Sequence, residues 1–471
     1  MAAFVGRTRE LKSLDHLLER VRSGLGKAAP GQCILVRGRR RVGKSRLLEQ
    51  FCEKSGVPYV FFCASQQGAR EAVLFGEEVA QSSLPGCELF VDSRPETWDA
   101  ALRTLAAAVD EAGPTIVVID EFPYLVGQDS SIEATFQKQW DRLLSKKPVL
   151  LVLIGSDLTA MEALGAHSRP FYQRGTEMVV GALSPVETAE IVGSPTAADA
   201  FDAYLVTGGL PLICDGWPAR LTMWEFLEGA LSEPTSPLIV SAERVLAAEF
   251  PAEAQARSVL TQIGAGEVTF TNIARAAGGL QQMSAKRSLD LLGKKYVVAK
   301  ELPLSTATSH EARYRVADPY LRFWLRFIGP YMPEIERGRG DRVLTRIVRD
   351  WATWRGRAIE PIIREALCRL SPVTGLPAAD YVGGFWTRNN IPEIDIIAGD
   401  ASPVAHKLAY AGTIKWLDNK ELTQADVHQL VGNLTQVPGA TAGLPLVAVS
   451  RSGVNATGVV RLGPGDLIAA W

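Results

Sequence analysis

The sequence predicts an α/β protein. Its front should be a parallel sheet covered by helices, followed by a small helical part, a helix-turn-helix with a strand hairpin, and a second α/β region. Three observations carry that expectation. Apolar runs recur with helical segments between them, the arrangement that builds parallel sheets. A glycine-bracketed turn, Gly38-Arg-Arg-Arg-Val-Gly43-Lys44-Ser45, joins the first run to a helix. The chain, 471 residues and 47% apolar, has room for about three hydrophobic cores.

The first strand is read at Cys33-Ile-Leu-Val36 and a helix from Arg46 onward. A turn of this kind aims several backbone N–H groups at one point, where the helix dipole also favours negative charge. Lys44 can then reach the β- and γ-phosphates of a nucleoside triphosphate, and the Ser45 hydroxyl can bind Mg²⁺. The expected loop contacts are Gly38, Arg39, Arg40, Arg41, Val42, Gly43, Lys44 and Ser45, with Arg46 beside them. ATP with Mg²⁺ is the expected ligand.

Val57–Phe62, Pro114–Ile119 and Pro148–Ile154 read as further strands, with helices around Glu71–Ser82, Trp98–Ala112 and Ile132–Ser145. Asp120 and Glu121 leave the third strand at its carboxyl end, where open α/β sheets bind ligands. The aspartate can hold Mg²⁺ and the glutamate can act as general base toward water; as an alternative, the pair caps the next segment. Ser156 leaves the fourth strand and can donate toward the γ-phosphate or start a helix as N-cap. Arg169 and Arg174 lie in a Pro- and Gly-containing segment, where an arginine can neutralise transition-state charge from its own or a neighbouring subunit of a homo-oligomer.

Phe4-Val-Gly-Arg7 with Glu10-Leu11, the Arg-rich phosphate loop, Ile119-Asp-Glu-Phe-Pro-Tyr-Leu125, Ile154-Gly-Ser156, Tyr172-Gln-Arg174 and Thr207-Gly-Gly-Leu-Pro211 occur in this order. Together they resemble the archaeal-type ATPases, in the STAND branch of AAA+-like P-loop ATPases. The resemblance spans about residues 1–235. It implies that Arg7 lies beside the adenine, that Arg174 is the arginine finger or sensor, and that Gly209 and Pro211 belong to a helical subdomain closing over the nucleotide.

Ser232-Glu-Pro-Thr-Ser-Pro237 marks a boundary. Ala242–Phe250 and Ala252–Ile263 then read as helices, and Thr271–Ala277 as a short helix capped by its threonine. Gly278-Gly279 is a turn, Met283–Lys295 a longer helix, and Tyr296–Leu302 with Ala312–Val316 paired strands. This is the order of a winged helix-turn-helix. Lys286, Arg287, Lys294 and Lys295 on its second helix suit phosphates or a major groove, while the same module can equally dock protein.

Phe323, Trp324 and Phe327 in the passage Tyr314–Ile328 read as an interdomain packing element. The passage also resembles the start of the DUF234-type domain fused to these ATPases, which is similar to PD-(D/E)xK nucleases. The resemblance implies a first acid at Glu360 on the helix Gly356–Leu367, a metal ligand at Asp395, and a lysine at Lys415. Thr413 departs from that pattern. A hydroxyl cannot replace a carboxylate as a strong Mg²⁺ ligand, so a degenerate fold kept for DNA or protein binding is expected; as the alternative, Glu360 and Asp395 suffice for the metal with help from Glu393. The tail from Val427 should complete the sheet.

The expected division is thus 1–180 ATPase core, 181–236 helical lid, 237–328 winged helix and 329–471 nuclease-like domain. A net charge of −2 gives no general pull toward nucleic acid, so DNA contact needs a local patch. Six scattered cysteines without a C-x-x-C pair, no membrane-length apolar run and a charged N-terminus point to a reduced, cytoplasmic protein. The functional expectation is an ATP-hydrolysing switch that acts on DNA or a protein partner. A DNA-binding regulator with structural nucleotide and an ATP-gated nuclease are the alternatives.

Overall fold

Five strands form the first sheet: β1 (Gln32–Arg37), β2 (Tyr59–Cys63), β3 (Thr115–Asp120), β4 (Val149–Gly155) and β5 (Thr176–Val179). They come from a computed structural model that describes residues 4–65, 67–167, 169, 174–250, 253–266 and 268–471. Their spatial order is β2-β3-β4-β1-β5, and every pairing is parallel. Every residue of β3 and β4 is buried, as expected of central strands covered on both faces. Helices fall where the periodicity puts them, at Glu71–Ala80, Trp98–Ala108 and Ser131–Arg142. An aromatic cluster packs them onto the sheet, with Phe62 against Trp98 and Phe122 against Phe136 edge-to-face.

Contacts divide the chain into two compact units, Met1–Ala182 and Leu183–Trp471. The second unit begins with helices Pro185–Val192 and Ala197–Thr207, each opened by a side-chain cap, from Ser184 and Thr196. Gly208 and Gly209 follow with φ of 61° and 66°; a Cβ on Gly209 would lie 2.1 Å from the Leu183 carbonyl oxygen. Only glycine meets both demands.

Helices Pro237–Glu249, Ala254–Ala265, Phe270–Ala276 and Gln282–Lys294 lead to an antiparallel hairpin, β6 (Val298–Glu301) with β7 (Arg313–Val316). Thr271 lies inside its short helix; the cap position is Thr269, without a side-chain cap bond. The sequence pattern could not separate two threonines two residues apart.

The aromatic helix Pro319–Phe327 buries Phe323, Trp324 and Phe327, and its Tyr320 hydroxyl and Trp324 Nε1 donate to the Leu238 and Ile239 carbonyls at 2.8 Å. These bonds satisfy carbonyls near the start of the helix Pro237–Glu249. Glu360 sits not on a helix of the expected length but on a 30-residue one, Gly340–Arg369. Pro361 lies within it. That helix packs through Trp351 and Trp354 against Phe323 and Phe327.

The remaining strands are β8 (Tyr381–Trp386), β9 (Glu393–Gly399), β10 (Leu408–Lys415), β11 (Leu422–Thr423), β12 (Leu446–Ser450), β13 (Val454–Asn455) and β14 (Val460–Leu462). The larger sheet runs β14-β12-β10-β9-β8, antiparallel at β8/β9 and β9/β10 and parallel beyond. The tail strands β12 and β14 complete it. Buried Arg355 on the long helix bonds Asp202 at 3.0 Å and Asp418 at 2.8 Å, and Arg451 reaches the same two carboxylates at 2.8 and 2.6 Å. Among the described residues no helix is long and apolar enough to cross a membrane. The six cysteines are unpaired.

Candidate nucleotide site

The loop between β1 and the helix Lys44–Ser55 is held by close backbone approach. A Cβ on Gly38 would lie 2.2 Å from the Val180 carbonyl oxygen, and Val180 N donates to Arg37 O at 2.8 Å. The segment leaving β5 therefore presses on the loop where it begins. Gly43 takes φ 88° as the N-cap, and Arg41 takes φ 68°. These left-handed residues turn the chain sharply into the helix.

Lys44 is buried at 5% exposure, and its Nζ donates to the carbonyls of Gly38 (2.9 Å) and Arg39 (3.0 Å) and to Ser156 Oγ (3.0 Å). Burial draws its pKa below the ordinary lysine value, while the Glu121 and Asp120 carboxylates oppose that shift and Arg40 adds to it. The ammonium is thus cradled by the loop it belongs to.

Parallel register brings the other groups to it. Arg37 pairs with Gly155 and Ile119 with Leu153, so the carboxyl ends of β1, β3 and β4 lie side by side. The Ser45 hydroxyl donates to Asp120 Oδ2, and Asp120 Oδ1 accepts from Glu121 N at 2.8 Å. A hydroxyl and a buried carboxylate in contact at the helix start are a donor set suited to a hard divalent cation. Glu121 adopts the left-handed region (φ 53°, ψ 37°), uncommon for a residue with a side chain. Its Oε1 accepts from Ser156 Oγ at 2.9 Å. Ser156 therefore connects the loop lysine to the acidic residue after Asp120.

Ser156 does not cap the following helix. Asp157 does, its side chain accepting from Ala160 N at 3.0 Å, so the helix Leu158–Leu164 begins one residue later than expected and leaves the serine hydroxyl for the site. Arg7 is 4% exposed and donates to Val42 O (2.6 Å) and Gly181 O (2.7 Å), with Glu10 at 3.3 Å. Arg40 donates to the Tyr124 hydroxyl at 2.8 Å and Arg46 pairs with Glu49 at 3.4 Å. Arg39 is partly buried.

Arg174 Nε donates to both Asp141 oxygens, at 2.8 and 3.0 Å, and Arg169 pairs with the buried Glu133. Tyr172 and Gln173 lie outside the described residues. Pro211 belongs to the second unit, in the first turn of the short helix Pro211–Asp215. The contacts of Arg7 and Arg40 left no signal in the sequence, because both depend on carbonyls or hydroxyls distant along the chain.

In the second unit Lys286, Arg287 and Lys294 are exposed, while Lys295 lies over the Phe250 ring at 5.1 Å. Glu360 pairs with Arg364 at 3.0 Å, and burial pushes its pKa up to about 7 against that arginine's pull. Asp395 Oδ2 accepts from Thr413 Oγ1 (2.9 Å) and Ile414 N (2.8 Å), and burial raises its pKa as well. Lys415 is drawn to Asp426 at 2.6 Å and Glu393 to Arg313 at 2.6 Å. Among the described residues no group of three or more His, Cys, Asp or Glu side chains could hold a metal ion. Arg364, Thr413 and Ile414 thus supply hydrogen-bond donors to Glu360 and Asp395.

Residues 3–156 match the model of AAA ATPase domains, and residues 324–429 match DUF234, described as archaeal and bacterial proteins of unknown function. An uncharacterized protein of Methanocaldococcus jannaschii is 23% identical over 434 residues, covering 92% of this chain and 91% of its own. Among solved structures, a Walker-type ATPase of Pyrococcus abyssi is 19% identical, covering 68% of this chain and 96% of its own, with a TM-score of 0.47. The ORC2 protein of Aeropyrum pernix in ADPNP–ADP complexes is 16% identical, covering 74% and 98%, with a TM-score of 0.48. The front of the chain thus matches an AAA ATPase domain, and its C-terminal part matches a DUF234 region.

Proposed function

We propose that this protein is an ATP-hydrolysing switch, its nucleotide held by the loop Gly38–Ser45 and its output delivered by the second unit. The observation that carries the reading is the chain of contacts from Lys44 through Ser156 to Glu121. The loop amides and Lys44 bind the β- and γ-phosphates. Ser45 and Asp120 would hold Mg²⁺, which when bound neutralises phosphate charge. Glu121 orients the attacking water and takes its proton, and Ser156, bonded to both Lys44 and Glu121, senses whether a γ-phosphate is present.

Arg7 supports a switch rather than a simple hydrolase. It joins the loop carbonyl of Val42 to Gly181, two residues before the second unit begins. A shift of the loop on nucleotide binding pulls on that segment. Helices Phe270–Ala276 and Gln282–Lys294 with the β6–β7 hairpin support a winged helix-turn-helix reading, and exposed Lys286, Arg287 and Lys294 give it phosphate-facing charge for DNA. The C-terminal region then acts as a binding module for DNA or a protein partner, without strand cleavage.

Two variants test the reading. Lys44→Ala abolishes ATP binding in equilibrium titration, whereas Glu121→Gln keeps ATP bound with turnover reduced at least ~100-fold. Unchanged affinity in the first variant, or unchanged phosphate release in the second, removes the proposal.

A further inference from the structure

The second unit carries an open cavity of about 400 Å³ between the β6–β7 hairpin, the C-terminal half of the long helix and the bulged strand β8. Three cations line it, Lys300, Arg315 and Arg364, against two carboxylates, Glu301 and Glu365. Glu365 is matched by Arg369 at 2.7 Å. Glu301 serves both Arg315 and, at 3.8 Å, Arg364. Lys300 is exposed.

Behind this wall lies Arg322. Among the described residues it has no carboxylate at ion-pair distance, and its Nη1 reaches only the Ala358 carbonyl at 3.5 Å. Burial and the Arg315 charge bring its pKa down to about 10. The Glu360 and Glu301 carboxylates oppose that shift, so the guanidinium adds a further positive charge to the field that Arg315 and these two acids share.

Arg364 is the pivot. Its Nη2 donates to Glu360 at 3.0 Å and its Nε to the Asp395 carbonyl at 2.8 Å. Asp395 is further filled by the Thr413 hydroxyl and the Ile414 amide. The two acidic residues that could converge on a divalent ion are therefore already supplied with donors. Gly384 makes room for this, since a Cβ there would sit 2.8 Å from Arg364 Nη2.

We infer that this cavity binds a phosphate group, with Arg364 standing where a metal would bring positive charge and Arg315 and Lys300 completing the grip. A guanidinium fork suits phosphate oxygens, and the three cations on the wall outnumber its two carboxylates. Trp386 on the wall is 5% exposed and carries the Arg313 guanidinium over its ring at 4.4 Å. The inference goes beyond the ATPase reading and does not depend on it.

The test uses the full chain carrying Lys44→Ala, so that the loop of the first unit does not compete. Calorimetric titration at low salt is run with pyrophosphate, and with a short single-stranded oligonucleotide with and without a 5′-phosphate. A phosphate-bearing probe binds, Lys300→Glu weakens it about tenfold, and Glu365→Gln strengthens it about threefold. Both substituted side chains are exposed, so circular dichroism should show an unchanged fold. Binding of pyrophosphate identifies a small phosphorylated ligand; binding only of the phosphorylated strand identifies a nucleic-acid end. Either supports the inference. No binding by any probe at millimolar concentration, equal affinity in both variants, or stoichiometric Mg²⁺ binding lost in Asp395→Ala overturns it.

Discussion

Replacing Asp202 by alanine should strongly destabilise the second unit. Asp202 has 8% side-chain exposure and lies between Arg355 at 2% and Arg451 at 10%, bonded to them at 3.0 and 2.8 Å. Burial pushes its pKa up to about 6 despite both arginines, so the network is costly to assemble. Losing one member is costlier still. The remaining carboxylate, Asp418, is half exposed at 52% and must serve both guanidinium groups alone. Breaking a buried pair in this way costs about 3–5 kcal/mol. At roughly 2–4 °C per kcal/mol for a unit of this size, the melting transition of the second unit drops by about 10 °C. Scanning calorimetry on wild type and Asp202→Ala reads the shift, and ATP titration at 25 °C checks that the first unit is intact. Adding Arg355→Met to Asp202→Leu restores part of the loss, because an apolar pair of similar volume replaces an ionic one. A shift below about 2 °C would refute the claim that these charges are mutually dependent.

Three further outcomes follow from the described geometry. Ser156→Ala lowers kcat about 10- to 100-fold with ATP affinity within threefold, since it breaks the link to Glu121 but leaves Lys44 its two carbonyls; steady-state phosphate release measures it. Gly38→Ala forces a Cβ against the Val180 carbonyl and costs about 1–3 kcal/mol in a chemical melt, with weaker ATP binding. Glu360, raised to about 7 from an ordinary value near 4.5, binds its proton more tightly in the folded chain. Its contribution to stability therefore falls as pH rises from about 4.5 to 7, and Glu360→Gln flattens that part of the stability–pH profile in denaturant melts.

Much of the first unit was legible because its signals are local. Apolar runs such as those within Thr115–Asp120 and Val149–Gly155 suit central strands, and the glycine turn before Lys44 joins a strand to a helix within a few residues. What stayed hidden depended on partners distant in sequence. β5 is an exposed edge strand of four residues, too short and mixed in polarity to register as a strand. The choice between Ser156 and Asp157 as cap turned on which hydroxyl or carboxylate the site needed, which no spacing reveals. Thr413 departs visibly from the nuclease-like pattern, but the arginine that bonds Glu360 comes from the next turn of the same helix, Arg364, and reads in sequence as an ordinary i, i+4 pair. Lys295 likewise matched a basic helix end, and only packing shows it spent on Phe250.

The arrangement around Lys44 also bears on selectivity under the proposed function. Its ammonium already holds two peptide oxygens and a hydroxyl, so an incoming molecule must outbid three neutral acceptors to recruit it. A single weakly charged oxygen gains little by that exchange, whereas a chain of several anionic oxygens gains a great deal. On the proposed reading, those three contacts of Lys44 favour longer polyphosphates before any base or sugar is read.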